Sequence, residues 1–197
     1  MTYKTHLALA YAINIPLIEK FYEAQDFNQN SVILALIITF ILSLAPDLDH
    51  PKSFLSQIPP FNIISWILSS ITNHRGITHR FYFIFIPTFL IWFGLTYLNI
   101  KYKIDIKSID NLTLLAFLAY LSHLLGDCTT KSGIRGLFSP FYNKTIYIVP
   151  KFMRYKTGTV VEYFYLLGLI FIIVFEVKDF YLNNLFFLLS LWIQDSS

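Results

Sequence analysis

The chain has 197 residues, of which 55% are hydrophobic and only 14% are charged, and its mean hydropathy is +0.56. A soluble domain usually carries about a quarter charged residues, so this composition excludes an ordinary soluble domain and predicts an integral membrane protein. The net charge of +3 is too small to indicate a nucleic-acid partner, and the single cysteine, Cys128, excludes an internal disulfide framework.

Apolar segments alternate with polar connections along the chain, and each apolar segment is predicted to be a helix. A bilayer core needs about 20 residues, so several of these helices are short for a full span. We expect a single membrane-embedded domain, residues 1–197, that is all-α and polytopic, with about four to six short or full transmembrane helices. The predicted helices cover residues 5–18, 31–44, 61–71, 81–98, 112–126, 159–177 and 180–193.

Polar side chains are concentrated at particular ends of these helices. If successive long helices cross the bilayer in alternate directions, those ends meet on one side of the membrane, and all five histidines lie there. Ten Lys and Arg residues fall on that side and five on the other, which predicts that it faces the cytoplasm. The residues so placed are His6, Asp47, Asp49, His50, His74, His79, His123, Asp127 and Glu162.

The segment after the helix at 31–44 is the densest of these polar sites. Asp47, Asp49 and His50 occur within four residues, and Pro46 and Pro51 bracket them, which predicts a rigid loop. Carboxylates and imidazoles together are typical ligands of divalent cations. A polar turn that only caps the preceding helix would account for the same residues.

His123 and Asp127 are four residues apart, which places them on one face of a helix, within reach of one ion or of two adjacent ions. A hydrogen bond between the two at the helix end is the alternative. Glu162 lies in the first turn of an apolar helix. There its negative charge either stabilises the helix by interacting with the helix dipole, or ligates a nearby cation.

Two further histidines, His74 and His79, flank Arg75 and Gly76. Their five-residue spacing does not fit one helical face, but Gly76 permits a turn that points both rings inward. Arg75 has the planar geometry that matches a phosphate group, which predicts a role in holding an anionic substrate. Anchoring of this basic loop to lipid head groups is the alternative.

Taken in order, five sequence features resemble the YdjM-type family of LexA-binding, inner-membrane-associated, metal-dependent hydrolases. They are His6, PDLDH at 46–50, HRGITH at 74–79, HLLGD at 123–127 and TGTVVE at 157–162. The resemblance covers nearly the whole chain. That family is distantly similar to zinc-dependent phospholipases C and to related fungal single-strand nucleases, which implies a similar helical fold around a zinc cluster.

In those enzymes an Asp four residues after a His bridges two metals, and His123 and Asp127 match that pattern. This chain departs from them in its other spacings and has no N-terminal Trp, so their three-metal count does not carry over. The resemblance is not taken to imply DNA or repressor binding, and no nucleic-acid partner is expected.

The residues and the resemblance together predict a membrane-bound metal-dependent hydrolase that acts, through a metal-activated water, on a phosphoester at the bilayer surface such as a phospholipid head group. A carboxylic ester or an amide is the alternative substrate class. Asp47 or Asp49 would serve as general base where it is not a ligand, and Arg75 would hold the anionic group. A metal- or proton-linked transporter, or a non-catalytic protein with a structural metal site, are the alternatives. Two or more divalent ions, zinc by preference, would be held by His6, Asp47, Asp49, His79, His123, Asp127 and Glu162, with His50 and His74 as further candidates.

Overall fold

The computed structural model describes residues 1–72 and 75–194, with residues 179–194 described by their backbone alone. Helices dominate this part of the chain, as the sequence predicted. Within the described residues, one short antiparallel pair of strands, β1 (Ile134–Arg135) and β2 (Thr145–Ile146), lies in the segment before the last helix. The α-helices are α1 Tyr3–Glu23, α2 Gln29–Leu44, α3 Phe61–Ile71, α4 Phe85–Tyr102, α5 Ile109–Cys128 and α6 Val160–Gln194.

Four stretches of the described chain are long and apolar enough to cross a membrane: Gln29–Asp49, Phe81–Tyr102, Ile109–Cys128 and Val160–Lys178. The expected class, a helical membrane protein, is confirmed at this level. Helix α3 is apolar but has only 11 residues, so it is too short to span, as its sequence predicted.

Helix α5 is the centre of the bundle. It packs against α1, α2 and α4, and α1 also packs against α2 and α6. The buried face of α5 consists of Leu and Ala residues with Tyr120, and small residues such as Ala116 and Ala119 let neighbouring helices approach closely. Near the middle of the bundle, Nδ2 of Asn14 donates hydrogen bonds to Thr39 Oγ1 and to the Leu115 carbonyl, which joins α1, α2 and α5.

Two predicted boundaries differ from the structure. Helix α1 begins at Tyr3 after Thr2, rather than at Thr5, and continues to Glu23, because no proline or glycine interrupts the polar residues after 18. Helix α6 runs unbroken through Lys178, where the sequence predicted a break between two helices. Charged residues alone do not end a helix, and this stretch contains no proline.

The bundle has one end at which polar residues gather. Helices α2 and α5 end at this polar end, whereas α4 and α6 begin at it, so the four candidate spans alternate in direction. A 3₁₀ turn, Ala45–Asp49, follows α2 at this end, and another, Ile77–His79, precedes α4. These turns and helix ends carry the candidate site.

Candidate metal centre

Two groups of three side chains place ligand atoms close enough together to hold a metal ion. One group is His6, His123 and Asp127, and the other is Asp47, His79 and His123, so His123 belongs to both. The five residues come from α1, the turn after α2, the turn before α4 and the last turns of α5. The structure therefore brings together residues that lie up to 121 positions apart between His6 and Asp127.

The proline at 46 shapes one side of the site. Pro46 is in the first positions of the 3₁₀ turn, where the missing N–H costs nothing. The turn directs Asp49 fully inward, whereas the Asp47 side chain keeps 20% of its surface exposed. The two carboxylates therefore contact the same imidazole, His79, from different sides.

The distances between nitrogen and oxygen atoms across the cluster fall in a narrow range. They are 3.5 Å for His6 Nε2 to Asp127 Oδ1, and 3.6 Å from Asp47 Oδ1 to Nε2 of both His79 and His123. Ordinary hydrogen bonds of this kind are about 2.7–3.2 Å long. Ligand atoms at about 2.1 Å from a tetrahedral cation lie about 3.4 Å from one another, so the spacing fits an ion better than direct hydrogen bonds.

His123 shows which of its nitrogens faces the cluster. Its Nδ1 lies 2.7 Å from the carbonyl oxygen of Ser43, which accepts a hydrogen bond, so Nδ1 carries the proton. Nε2 then holds a lone pair, is buried, and has no hydrogen-bond partner among the described residues. The His6 ring stacks parallel on the His123 ring with centroids 3.6 Å apart. A buried, unpaired imidazole nitrogen beside carboxylates is the arrangement that a divalent cation satisfies.

His79 is held by groups on its other side. Its Nδ1 lies 3.6 Å from Asp49 Oδ2, and that same carboxylate oxygen accepts a 2.6 Å hydrogen bond from the Thr78 hydroxyl. Tyr120 fixes the turn by donating to the Thr78 carbonyl. Burial alone would lower the pKa of His79, but the neighbouring carboxylates of Asp47 and Asp49 favour the protonated ring and raise its pKa to about 9.

Asp127 is surrounded by positive charge. Its Oδ1 lies 2.6 Å from the Met1 amino nitrogen, and its Oδ2 lies 2.9 Å from a terminal nitrogen of Arg75. The other terminal nitrogen of Arg75 donates to Ser132 Oγ and to the Gly133 carbonyl. Arg75 holds a positive φ of 60°, an uncommon conformation for a residue with a side chain, and these contacts fix it there.

Of the predicted ligands that the structure describes, Asp49, His50 and Glu162 lie outside the two groups. The carboxylate of Glu162 accepts hydrogen bonds of 2.6 Å from the backbone N–H groups of Thr2 and Gly158, so it holds the start of α1 against α6. Nδ1 of His50 accepts from the Lys52 N–H, within its own turn. The prediction for His74 falls on a residue outside the described chain.

Access to the cluster is narrow. The side chains of His6, His79, His123 and Asp127 are at most 2% exposed, whereas Asp47 is 20% exposed and Arg75, which contacts Asp127, is 26% exposed. In residues 1–72 and 75–178, the buried Asp, Glu and His residues lie at this end of the bundle, although one carboxylate oxygen of Glu176, near the other end of the candidate span Val160–Lys178, is buried as well.

Several groups that build the site were not predicted. Thr78 and Tyr120 lie in or near the motifs at 74–79 and 123–127, and Tyr120 is three residues before His123, on the same helical face. The three-residue spacing between Tyr120 and His123 could therefore have indicated from the sequence that Tyr120 lies near the site. The contributions of the Ser43 carbonyl, of the Met1 amino group and of Ser132 had no such indication, because they depend on long-range contacts.

Comparison with known proteins shows the family. The family described as YdjM inner membrane protein matches residues 1–195, which confirms the resemblance found in the motifs. The inner membrane protein YdjM of Escherichia coli (strain K12) is 32% identical over 113 residues, covering 52% of this chain and 46% of that protein. The protein of the same name from Shigella flexneri matches with the same figures. The chain spans about half the length of these curated relatives, and no solved structure matches it.

Proposed function

The chain belongs to the family of YdjM inner membrane proteins, and from that premise we propose that it is an inner-membrane, metal-dependent hydrolase that acts on a phosphoester at the bilayer surface. The observation that carries the proposal is the buried Nε2 of His123, which lacks a hydrogen-bond partner among the described residues and lies 3.6 Å from Asp47 Oδ1. A buried polar atom of this kind calls for a ligand.

The residues that would hold divalent metal are His6, Asp47, His79, His123 and Asp127. His123 has one lone pair, because Nδ1 donates to Ser43, so it serves one ion. Asp47 and Asp127 each have two carboxylate oxygens, and they are therefore the residues able to bridge to a second ion. Nitrogen and oxygen donors in this mixture suit zinc. The bound cation supplies Lewis acidity, which lowers the pKa of water and offsets charge on a phosphoester oxygen.

Asp47 and Asp49 take different roles in this proposal. Asp47 is the partly exposed carboxylate, so where it is not a ligand it is placed to accept a proton from water that enters from solvent. Asp49 is buried and bound to Thr78, facing His79 Nδ1. It positions the imidazole and favours the tautomer that presents Nε2 to the cluster, as carboxylates behind metal-binding histidines do.

Arg75 is the group proposed to hold the anionic substrate. Its side chain is 26% exposed and contacts the cluster, with one terminal nitrogen on Asp127 and the other on Ser132 and Gly133. Its Nε is buried and makes no hydrogen bond within the described chain, so this donor has no protein partner there. Guanidinium groups match phosphate geometry, which supports this role.

The position of the cluster supports a lipid phosphoester as substrate. It lies where two candidate spans end and two begin, and lipid phosphates occupy that level of a bilayer. The excess of Lys and Arg on this side, ten against five, supports a cytoplasmic orientation.

The test measures metal content and hydrolysis on the same detergent-purified preparation, with bis(p-nitrophenyl) phosphate and a short-chain phospholipid as substrates. We expect bound zinc and metal-dependent release of product, with an Asp47→Asn loss of at least about 100-fold in rate. Asp110→Asn, at the opposite end of α5, is the matched control and should retain the rate. Full metal content without hydrolysis of either substrate would contradict the hydrolase and favour a structural metal site.

A further inference from the structure

The segment between α5 and α6 has an unusual charge distribution. Residues 129–159 contain six of the chain's 15 Lys and Arg residues and none of its 12 Asp and Glu residues. The segment joins the end of one candidate span to the start of the next, both at the cluster end of the bundle. It therefore lies at the membrane surface on the side of the metal centre. The six cations are Lys131, Arg135, Lys144, Lys151, Arg154 and Lys156.

This segment has a defined backbone. Strands β1 and β2 pair within it, and Ile134 is fully buried in the hydrophobic core. The Lys131 N–H donates to the Tyr155 carbonyl at 2.8 Å, and the Ile148 N–H donates to the Cys128 carbonyl at 3.2 Å. The cations are thus presented from a fixed frame rather than from a flexible tail.

Three of the six cations line one cavity of about 730 Å³. Its walls are Lys131, Tyr147, Lys151, Phe152 and Arg154. The Arg154 guanidinium lies 3.5 Å from the centre of the Tyr147 ring, and its Nε donates to the Val149 carbonyl. Within the described residues, none of the three cations forms an ion pair, because no carboxylate lies within 4.0 Å of them. The cavity therefore combines uncompensated positive charge with aromatic walls.

Exposed apolar side chains line this cavity or lie next to its lining residues in the sequence. Phe152 is 86% exposed, and the neighbouring Met153 and Ile148 are exposed as well. Phe141, in the same segment, is 93% exposed. Aromatic and aliphatic side chains beside Lys and Arg are the arrangement by which proteins sit at the level of lipid head groups. A soluble anion would not contact these exposed apolar side chains.

We propose that this cavity binds the phosphate of an anionic phospholipid head group, at a site separate from the metal centre. Lys131, Lys151 and Arg154 contact the phosphate, and Phe152 contacts the glycerol and the upper acyl chain. Lys131 directly precedes Ser132, which accepts a hydrogen bond from Arg75, so the lipid would lie near Arg75. The site stands whether or not the cluster hydrolyses phosphoesters.

The test uses the full chain in detergent and native mass spectrometry with dioleoyl-phosphatidylglycerol or dioleoyl-phosphatidylcholine. The pocket variant combines Lys131→Gln, Lys151→Gln and Arg154→Gln. The matched control combines Arg135→Gln, Lys144→Gln and Lys156→Gln, which removes the same charge from exposed positions of the same segment outside the cavity. Every measurement is repeated in the Asp47→Asn background, so that lipid binding is measured without hydrolysis of the lipid at the metal centre.

We expect wild type and control to retain phosphatidylglycerol over phosphatidylcholine, and the pocket variant to lose roughly tenfold or more in apparent affinity for phosphatidylglycerol. Equal losses in the pocket variant and the control would reveal diffuse attraction and overturn the site. Displacement of the lipid by an equal concentration of inorganic phosphate would show that the cavity binds a free anion, and it would contradict the proposal that a lipid is the ligand. Circular dichroism checks that all variants keep their helices.

Discussion

Nδ1 of His123 donates a 2.7 Å hydrogen bond to the carbonyl oxygen of Ser43, which links the last turns of α5 and α2. The last carbonyls of a helix lack partners within it, so this bond satisfies one of them. It also fixes the tautomer of the ring and turns Nε2 toward the cluster. The orientation of a central ligand is thus set by a backbone atom.

Asp49 is predicted to tune the metal site without being required for the fold. Asp49→Asn removes the charge that faces Nδ1 of His79 while keeping the size of the side chain. We expect metal affinity to fall about 10- to 100-fold, because groups behind metal ligands contribute on that scale. Competition with a chromogenic zinc chelator measures this. Asp105→Asn, in the loop at the opposite end, is the control, and equal affinities in the two variants would exclude the positioning role.

Arg75 is predicted to act on substrate rather than on metal, since a guanidinium has no lone pair to offer. Arg75→Lys keeps the charge but removes the planar donor set, and it does not relieve the positive φ at this position. We expect hydrolysis to fall at least about tenfold with metal content unchanged. Arg80→Lys, in the same loop, is the control. Full activity of Arg75→Lys would reduce Arg75 to a structural or lipid-anchoring residue.

Metal affinity is predicted to depend on pH through His79. In the metal-free site its pKa is raised to about 9, so at neutral pH the ring carries a proton that metal must displace. As pH falls below 9, affinity should drop by about tenfold per unit for this one proton, and it should level off above 9. Zinc titrations at several pH values, with proton release followed by a dye, measure both effects. Affinity that stays constant from pH 9 to pH 7 would contradict this account of His79.

The presence of the helices was predicted from the sequence more accurately than the residues at which they begin and end. Residues 61–71 form the expected short helix because Pro59 and Pro60 precede it and fix its start. The break expected within α6 is absent, because Lys178 and its neighbours are compatible with a continuous helix. Hydrophobic patterning thus identifies membrane helices, whereas charged residues inside an apolar stretch do not locate their ends.

The site was predictable as a location but not as a set of contacts. Alternating helix directions follow from counting the spans, and they place His6, Asp47, His79, His123 and Asp127 at one end. The partners of Glu162 were not predictable, because Thr2 lies 160 residues away and offers only its backbone N–H. Spacing in sequence carries no information on contacts of that kind.

The most direct test of the metal centre is elemental analysis of purified wild type beside His123→Ala with Asp127→Ala. We expect one or more zinc ions per chain in wild type and loss of most of that metal in the double variant. His123→Gln alone, which leaves the partners of Asp127 in place, should lose most of it as well, and Asp110→Asn should retain it. Wild-type metal content in a folded double variant would contradict the site at His123 and Asp127.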